Sequence, residues 1–172
     1  MSVGQFTYSN SYYNFVPGIA GQGTAMPTNS GFGIPLSTPI APNPTSTTST
    51  SLVMAGIGGA WKFTPLQTGM LEIGVFGSMN NGTTGDGTTL KIAYGTGTAP
   101  VNGAAATGTL LGNPITVTFV TGEITSGVPF SFYEYITGLT VNTQYWFDIQ
   151  FESVTGGTSS LTNLHVTAEE AW

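Results

Sequence analysis

The amino-acid sequence predicts an all-β protein, an antiparallel β-sandwich preceded by an extended N-terminal arm. From residue 51 onward, six segments alternate apolar and polar residues with a period of two, the pattern of strands that bury one face. Before that point, prolines and glycines interrupt every candidate strand or helix. We therefore divide the chain into an arm (residues 1–50) and a head (residues 51–172).

The alternation assigns side chains to an inner and an outer face of the predicted sheets. VPFSFYEYI (residues 128–136) places its phenylalanines inward and Tyr133 and Tyr135 outward. QYWFDIQFES (residues 144–153) places its odd-numbered apolar residues inward and Trp146 outward. Two shorter candidates, SLVMAGI and AWKFTP, bring the total to about eight strands. With no convincing helix, a two-sheet sandwich is the natural way to bury these faces.

The charge composition excludes several classes of partner. Only 6% of the residues are charged, and two lysines with no arginine leave a formal charge of -6. Two cations cannot support nucleic-acid binding or attraction to an anionic membrane surface. The longest apolar run, LVMAGIGGAW, is about half the length that spans a bilayer, and no signal-peptide pattern begins the chain, so membrane insertion is not expected. Because cysteine is absent, disulfides and thiolate metal sites are excluded.

The arm is uncharged and rich in aromatic residues. Residues 1–61 contain no Asp, Glu, Lys or Arg, and six of the ten prolines lie before residue 45. Disordered tails are usually poor in aromatic residues and rich in charge, and the arm reverses both properties. We expect it to dock on neighbouring subunits rather than to fold back over its own head. The predicted arm contacts are Phe6, Tyr8, Tyr12, Tyr13, Phe15 and Phe32.

Four aromatic residues of the head are candidates for an interface between subunits: Trp61, Tyr133, Tyr135 and Trp146. Tyr133, Tyr135 and Trp146 lie on outward faces of strands whose inward faces are already apolar, so their rings need another partner. They could cover an edge of the same domain or the second sheet, fill an interface, or stack on sugar rings in a lectin-like site. The scarcity of charge favours the interface.

The glycine-rich stretch KIAYGTGTAP begins like a dinucleotide-binding turn. Gly95 and Gly97 follow a strand, as the fingerprint requires, but Pro100 stands where a third glycine is needed and no helical pattern follows. We interpret the stretch as a long, packed connection between strands.

A second glycine-rich stretch, NNGTTGDGTT, has the composition of a calcium-binding loop only in part. Asp86 is its single carboxylate, whereas strong calcium sites use several, so a tight turn is the better interpretation.

The remaining ionisable residues do not form a catalytic pattern. Asp148 and Glu152 share a strand face but lie roughly 13 Å apart along it, beyond the spacing of paired glycosidase carboxylates. His165 is the single histidine and is expected on a sheet surface. No nucleophile elbow of the G-x-S-x-G type is present. The sequence thus predicts no enzymatic activity, no metal and no cofactor.

Two stretches carry a resemblance to a known family. KIAYGTGTAPVNGAAATGT, followed by ITGLTVNTQYWFDIQFESVTGGTSSLTNLHVTAEE, resembles a small all-β domain of tailed-phage virion proteins, in which a YGTG-AP-NGA loop precedes an aromatic strand and a VTGGTA turn. The resemblance covers about residues 52–172 and excludes the arm. It implies a tumour-necrosis-factor-type jelly roll, a trimer, and a structural role on a virion, with no catalytic residues.

Together these arguments predict a virion structural protein. The first expectation is a homotrimeric capsid decoration (cementing) protein whose arm attaches it to the major capsid protein or another virion protein. The alternative is the receptor- or glycan-binding tip of a phage fibre, with a host-surface glycan as partner. The chain has no internal repeat and no coiled-coil heptads, which favours decoration over a fibre.

Overall fold

The computed structural model describes residues 43–120 and 127–171, which contain strands and loops and no helix. The eight strands are β1 (Val53–Met54), β2 (Lys62–Phe63), β3 (Leu71–Asn81), β4 (Gly87–Thr96), β5 (Thr109–Thr118), β6 (Val128–Ile136), β7 (Tyr145–Ser153) and β8 (Ser159–Glu170). Every strand pair is antiparallel. The prediction of an antiparallel β-sandwich of about eight strands is confirmed.

The strands form two sheets that pack face to face. The five-stranded sheet has the order β1-β7-β4-β5, with β2 also pairing with β7, and the three-stranded sheet has the order β6-β3-β8. The connections β2–β3, β3–β4, β5–β6, β6–β7 and β7–β8 each pass from one sheet to the other. Consecutive strands are thus mostly divided between the two sheets, and the chain crosses the core repeatedly.

The core lies between the two inner faces. On β6, Phe130 and Phe132 are buried, while Tyr133 and Tyr135 are exposed, as the alternation predicts. The inner face of β7 is also buried along its length, as predicted, through Tyr145, Phe147, Ile149 and Phe151. The largest side chains that are fully enclosed include Trp61 and Phe119. Period-two patterning therefore located the core because each strand follows its own pleat.

Two irregularities shape the strands. The β3–β8 register shifts between Phe76 and Ser78, opposite Asn163, whose φ of 54° is left-handed. The β4–β5 register shifts between Leu90 and Ile92, which leaves room for an extra stretch of β5 that includes Pro114. A bulge on an edge strand tolerates proline because the missing N–H has no ladder partner there.

Candidate interaction surface

The outward side chains of β7 form a covered face: Trp146, Asp148 and Gln150 point away from the core yet are buried. Residues 97–108, the connection from β4 to β5, lie over Trp146, whose ring packs with Met54 and Ala93. The Trp146 indole Nε1–H donates to the carbonyl of Thr96 at 3.1 Å. The predicted packed connection is therefore confirmed, and it acts as the lid of this sheet.

A second loop, residues 55–61 between β1 and β2, also covers this face, and Asp148 lies beneath it. Its carboxylate accepts the backbone N–H groups of Gly56 at 3.1 Å, Ile57 at 3.3 Å and Ile149 at 2.7 Å. Complete burial raises the pKa of Asp148 to about 6, although these backbone hydrogen bonds act in the opposite direction. The carboxylate is enclosed by its own chain and has no path to a substrate.

The interface prediction needs correction for two tryptophans. Trp61 is 1% exposed and belongs to the main core, and Trp146 is 5% exposed beneath residues 97–108. Neither ring can meet another subunit while the head is folded. The alternation was right that Trp146 points outward, but it could not show that a distant loop covers it. Tyr133 and Tyr135 stay candidates because their side chains are exposed.

The outward side of the three-stranded sheet forms the open face, which consists of Glu72, Gly74 and Phe76 on β3, Ser131, Tyr133 and Tyr135 on β6, and His165, Thr167 and Glu169 on β8. Tyr133 and Tyr135 are 60% and 63% exposed. The register aligns these residues in rows across the three strands. Both outer faces therefore carry aromatic side chains, but those of the covered face are buried beneath a loop and Tyr133 and Tyr135 of the open face are exposed.

The middle row of the open face is built around Gly74. A Cβ at this position would lie 2.9 Å from a ring carbon of Tyr133 and 2.7 Å from the Thr167 hydroxyl oxygen, so the tyrosine ring leans over glycine backbone. Phe76 meets Tyr133 edge to face, with ring centroids 5.1 Å apart. These contacts hold the exposed ring of Tyr133 in a defined orientation.

The next row combines a phenol with two carboxylates. Tyr135 donates its hydroxyl to Glu72 Oε2 at 3.0 Å, and Glu72 lies opposite Glu169 in the β3–β8 register. The hydrogen bond from Tyr135 and the charge of Glu72 raise the pKa of the phenol, with a smaller contribution from Glu169. Like charges directly opposite each other destabilise a sheet, so this pair carries a local energetic cost.

A buried polar network closes one end of the sandwich. Asp86, in the β3–β4 turn, accepts hydrogen bonds from Asn81 Nδ2, Ser153 Oγ and the backbone N–H groups of Gly87, Thr155 and Gly157. Burial alone would raise the pKa of Asp86, but the hydrogen bonds outweigh it and hold the pKa well below its usual range. All of its partners belong to this chain, so the turn is a structural feature.

The other residues singled out from the sequence are His165 and the aromatic residues of the arm. His165 lies on the open face with its ring 6.3 Å from that of Phe76, which confirms the expected sheet-surface position. All six arm aromatic residues fall outside the described residues. Sequence reasoning did not connect Glu72, Gly74 and Phe76 with Tyr133. Their shared face was visible from the period of two, but the cross-strand register that joins them was not.

The end of the arm nearest the head is fixed along the outer edge of β8. Thr47 and Ser159 exchange two backbone hydrogen bonds of 2.9 and 2.8 Å, and Asn163 donates its backbone N–H to Asn43 Oδ1 at 3.1 Å. Ser153 also donates its backbone N–H to the carbonyl of Ser49 at 2.8 Å. Residues 43–49, which we call the arm root, therefore belong structurally to the head.

Comparison with known proteins gives no family. No family model matches the chain, and no curated protein matches it. Among solved structures, the crystal structure of dimeric latent PorU from Porphyromonas gingivalis is similar over 80% of this chain and 12% of that chain, with 12% sequence identity and a TM-score of 0.47. The chain thus spans a small part of that protein's length.

Within residues 43–120 and 127–171, no helix has the length and apolarity needed to cross a membrane. In the same ranges, no three His, Asp or Glu residues cluster as metal ligands would.

Proposed function

We propose that this protein is a non-catalytic structural component of a virion surface, a decoration protein whose head is attached through its N-terminal arm. The observation that carries the proposal is the arm root. It fixes the C-terminal end of an uncharged arm, rich in aromatic residues, to one edge of the sandwich. The sequence resemblance to phage virion domains supports the same role.

The arm root suits a mechanical attachment. Thr47 and Asn43 lie four residues apart, and their partners on β8, Ser159 and Asn163, are four residues apart in the opposite direction. Only Thr47 pairs with β8 through its backbone, as an isolated antiparallel bridge, whereas Asn43 is held by its side-chain carbonyl. Ser49 is bonded to Ser153 of β7 in the other sheet. A load on the arm would therefore pass to β8 and, through Ser49, to β7.

The composition of the arm supports docking on protein. A segment without Asp, Glu, Lys or Arg gains little from exposure to water, and its tyrosines and phenylalanines each gain about 1.5–3 kcal/mol when they enter a pocket. Proline-rich chains lose less conformational entropy on docking, because their unbound ensemble is already narrow. A major capsid protein with apolar pockets is the partner that fits these properties.

The enclosed carboxylates support a non-catalytic head. Asp86 and Asp148 are both buried, and backbone or side-chain donors of the same chain occupy their oxygens. A general acid or base must reach the proton it transfers. Neither of these two carboxylates can do so in the folded head.

Co-sedimentation with virus particles that lack the protein tests the attachment. Three forms are compared: the full chain, a deletion of residues 1–42 that keeps the arm root, and a full-length variant in which Phe6, Tyr8, Tyr12, Tyr13 and Phe15 are changed to serine. Only the full chain should pellet with the particles. Equal pelleting of the deletion would show that the head makes the attachment, and circular dichroism of each form controls for folding.

The homotrimer stays a prediction; of its four candidate interface residues only Tyr133 and Tyr135 are exposed, and an interface there would exclude any other ligand from these two rings. Light scattering of the full chain at micromolar concentration should give three times the mass of 17.8 kDa. A stable trimer should bury more than roughly 1,000 Å² between subunits. A monomeric mass at that concentration would contradict the prediction without affecting attachment by the arm.

A further inference from the structure

The open face displays two aromatic rings at a spacing that suits a chain-like ligand. Tyr133 and Tyr135 are two residues apart on β6, which places their Cα atoms about 6.5–7 Å apart on the same side of the sheet. Both are mostly exposed. Tyr133 is oriented by its contact with Phe76 and by the space above Gly74. A ligand therefore meets rings that are already positioned, which lowers the entropy lost on binding.

Polar groups surround these rings. Glu72 and Glu169 lie in the same row as Tyr135, while Thr167 and His165 lie in the rows of Tyr133 and Phe76. The carboxylates can accept hydrogen bonds, and the hydroxyl and imidazole groups can both donate and accept. Apolar rings flanked by hydrogen-bonding groups match a molecule with one apolar face and a polar rim.

The charges on the open face limit which ligands it accepts. Glu72 and Glu169 lie on this face, whereas both lysines of the chain, Lys62 and Lys91, belong to strands of the other sheet. An anionic ligand would be repelled. A second copy of the chain docked face to face would bring four carboxylates together, which costs free energy unless they are paired.

We propose that the open face binds a neutral glycan, with pyranose rings stacked on Tyr133 and Tyr135 and sugar hydroxyls donating to Glu72 and Glu169. The C–H face of a sugar ring carries slight positive charge and is attracted to the negative face of an aromatic ring. Hydroxyl hydrogen bonds to carboxylates are charge-assisted and therefore strong. This binding goes beyond attachment by the arm and does not depend on it. A trimer would then have to use a different surface.

The test is an NMR titration of the full chain carrying ¹³C-labelled tyrosine rings. The probes are neutral hexaoses of glucose, mannose, galactose and N-acetylglucosamine, with a sulfated hexasaccharide as the anionic control. At least one neutral probe should shift the ring signals of Tyr133 and Tyr135, and the sulfated probe should bind more weakly. If no neutral probe shifts these signals, or if the sulfated probe binds more tightly, the proposal is wrong.

Matched variants separate stacking from other effects. Tyr133→Ala should weaken binding at least about tenfold, whereas Tyr133→Phe keeps the ring and should bind nearly as the wild type does. Glu72→Gln should also weaken binding, because a charge-assisted hydrogen bond becomes a neutral one. Val101→Ala, at an exposed position on the opposite side of the head, is the control and should change nothing. Thermal melting verifies that each variant is folded.

Two other occupants of the open face would be recognised in the same experiments. If the Tyr133 and Tyr135 signals change when residues 1–42 are deleted, and respond to no probe, the arm itself occupies the face. If they change with protein concentration instead, a second copy does. Either result overturns the glycan proposal, while the co-sedimentation result for the arm stands separately.

Discussion

The two sheets of the head present opposite solutions to the same problem, that of aromatic residues on an outward face. On the five-stranded sheet, Trp146 is sealed under residues 97–108, and Gln150 donates its side-chain amide to the carbonyl of Thr107 in that loop at 2.8 Å. On the three-stranded sheet, Tyr133 and Tyr135 are exposed. The first face therefore contributes to stability, and the second is available for binding.

The largest expected difference between the faces is in stability. Trp146→Ala removes a ring that is enclosed by Met54, Ala93 and the loop, and should lower the free energy of unfolding by about 3–5 kcal/mol. Tyr133→Ala removes a mostly exposed ring whose main contact is with Phe76 and should lower it by about 1 kcal/mol. Urea unfolding of both variants at pH 7 measures the contrast. Similar losses would mean that Tyr133 is covered in solution.

The covered face should also make stability depend on pH. The pKa of Asp148 is about 6 in the folded head, against an ordinary value of 3.8, so the folded state binds this proton more tightly than the unfolded chain does. The resulting stabilisation is fully present below pH ~4 and is lost as the pH rises through ~6, by at most about 3 kcal/mol. Urea unfolding from pH 4 to 7 measures this decline.

Asp148→Asn cannot titrate and should flatten that decline. Asp86 is the opposing case, since its lowered pKa contributes stability above the ordinary value of 3.8 that is lost as the pH falls below it. The wild-type free energy of unfolding should therefore be greatest near pH 4. A stability that rises steadily from pH 4 to 7 in the wild type would contradict the role given to Asp148.

A smaller loss of stability is expected from a substitution in the arm root. Thr47→Pro removes the N–H that Thr47 donates to the carbonyl of Ser159 and should cost about 1–2 kcal/mol. Ser46→Pro is the matched control, because Ser46 is exposed and takes no part in the bridge between Thr47 and Ser159, so the change should be nearly neutral. Thermal unfolding compares the two. If both prolines are equally tolerated, the arm root does not pair with β8 in solution.

The contrast between the faces also shows which features the sequence could predict. The inward positions of Phe130 and Phe132 follow from alternation within one strand, and that alternation is local. The buried contacts of Trp146, Asp148 and Gln150 are with residues about 40 to 90 positions away, namely Thr96, Gly56 and Thr107. No pattern within β7 reports these contacts. Polar Asp148 and Gln150 on alternate positions indicated exposure, whereas distant backbone groups satisfy them in the interior.

The open face was only partly predictable, because alternation along one strand is local whereas the pairing of strands is not. The outward positions of Tyr133 and Tyr135 came from the period of β6 alone. Their grouping with Glu72 and Phe76 depends on the pairing of β6 with β3, which joins residues about 55 to 65 positions apart. Sequence reasoning therefore identified the aromatic rings but not the site that they form with their cross-strand neighbours.

Maleimide labelling of single cysteines tests most directly whether one outer face is open and the other sealed. The chain contains no cysteine of its own, so Ser131→Cys on the open face and Gln150→Cys on the covered face each report one position. Cys at 131 should react at nearly the rate of a small model thiol, and Cys at 150 should react slower by about two orders of magnitude, because residues 97–108 must first open. Equal rates at the two positions, or a protected position 131, would contradict this account.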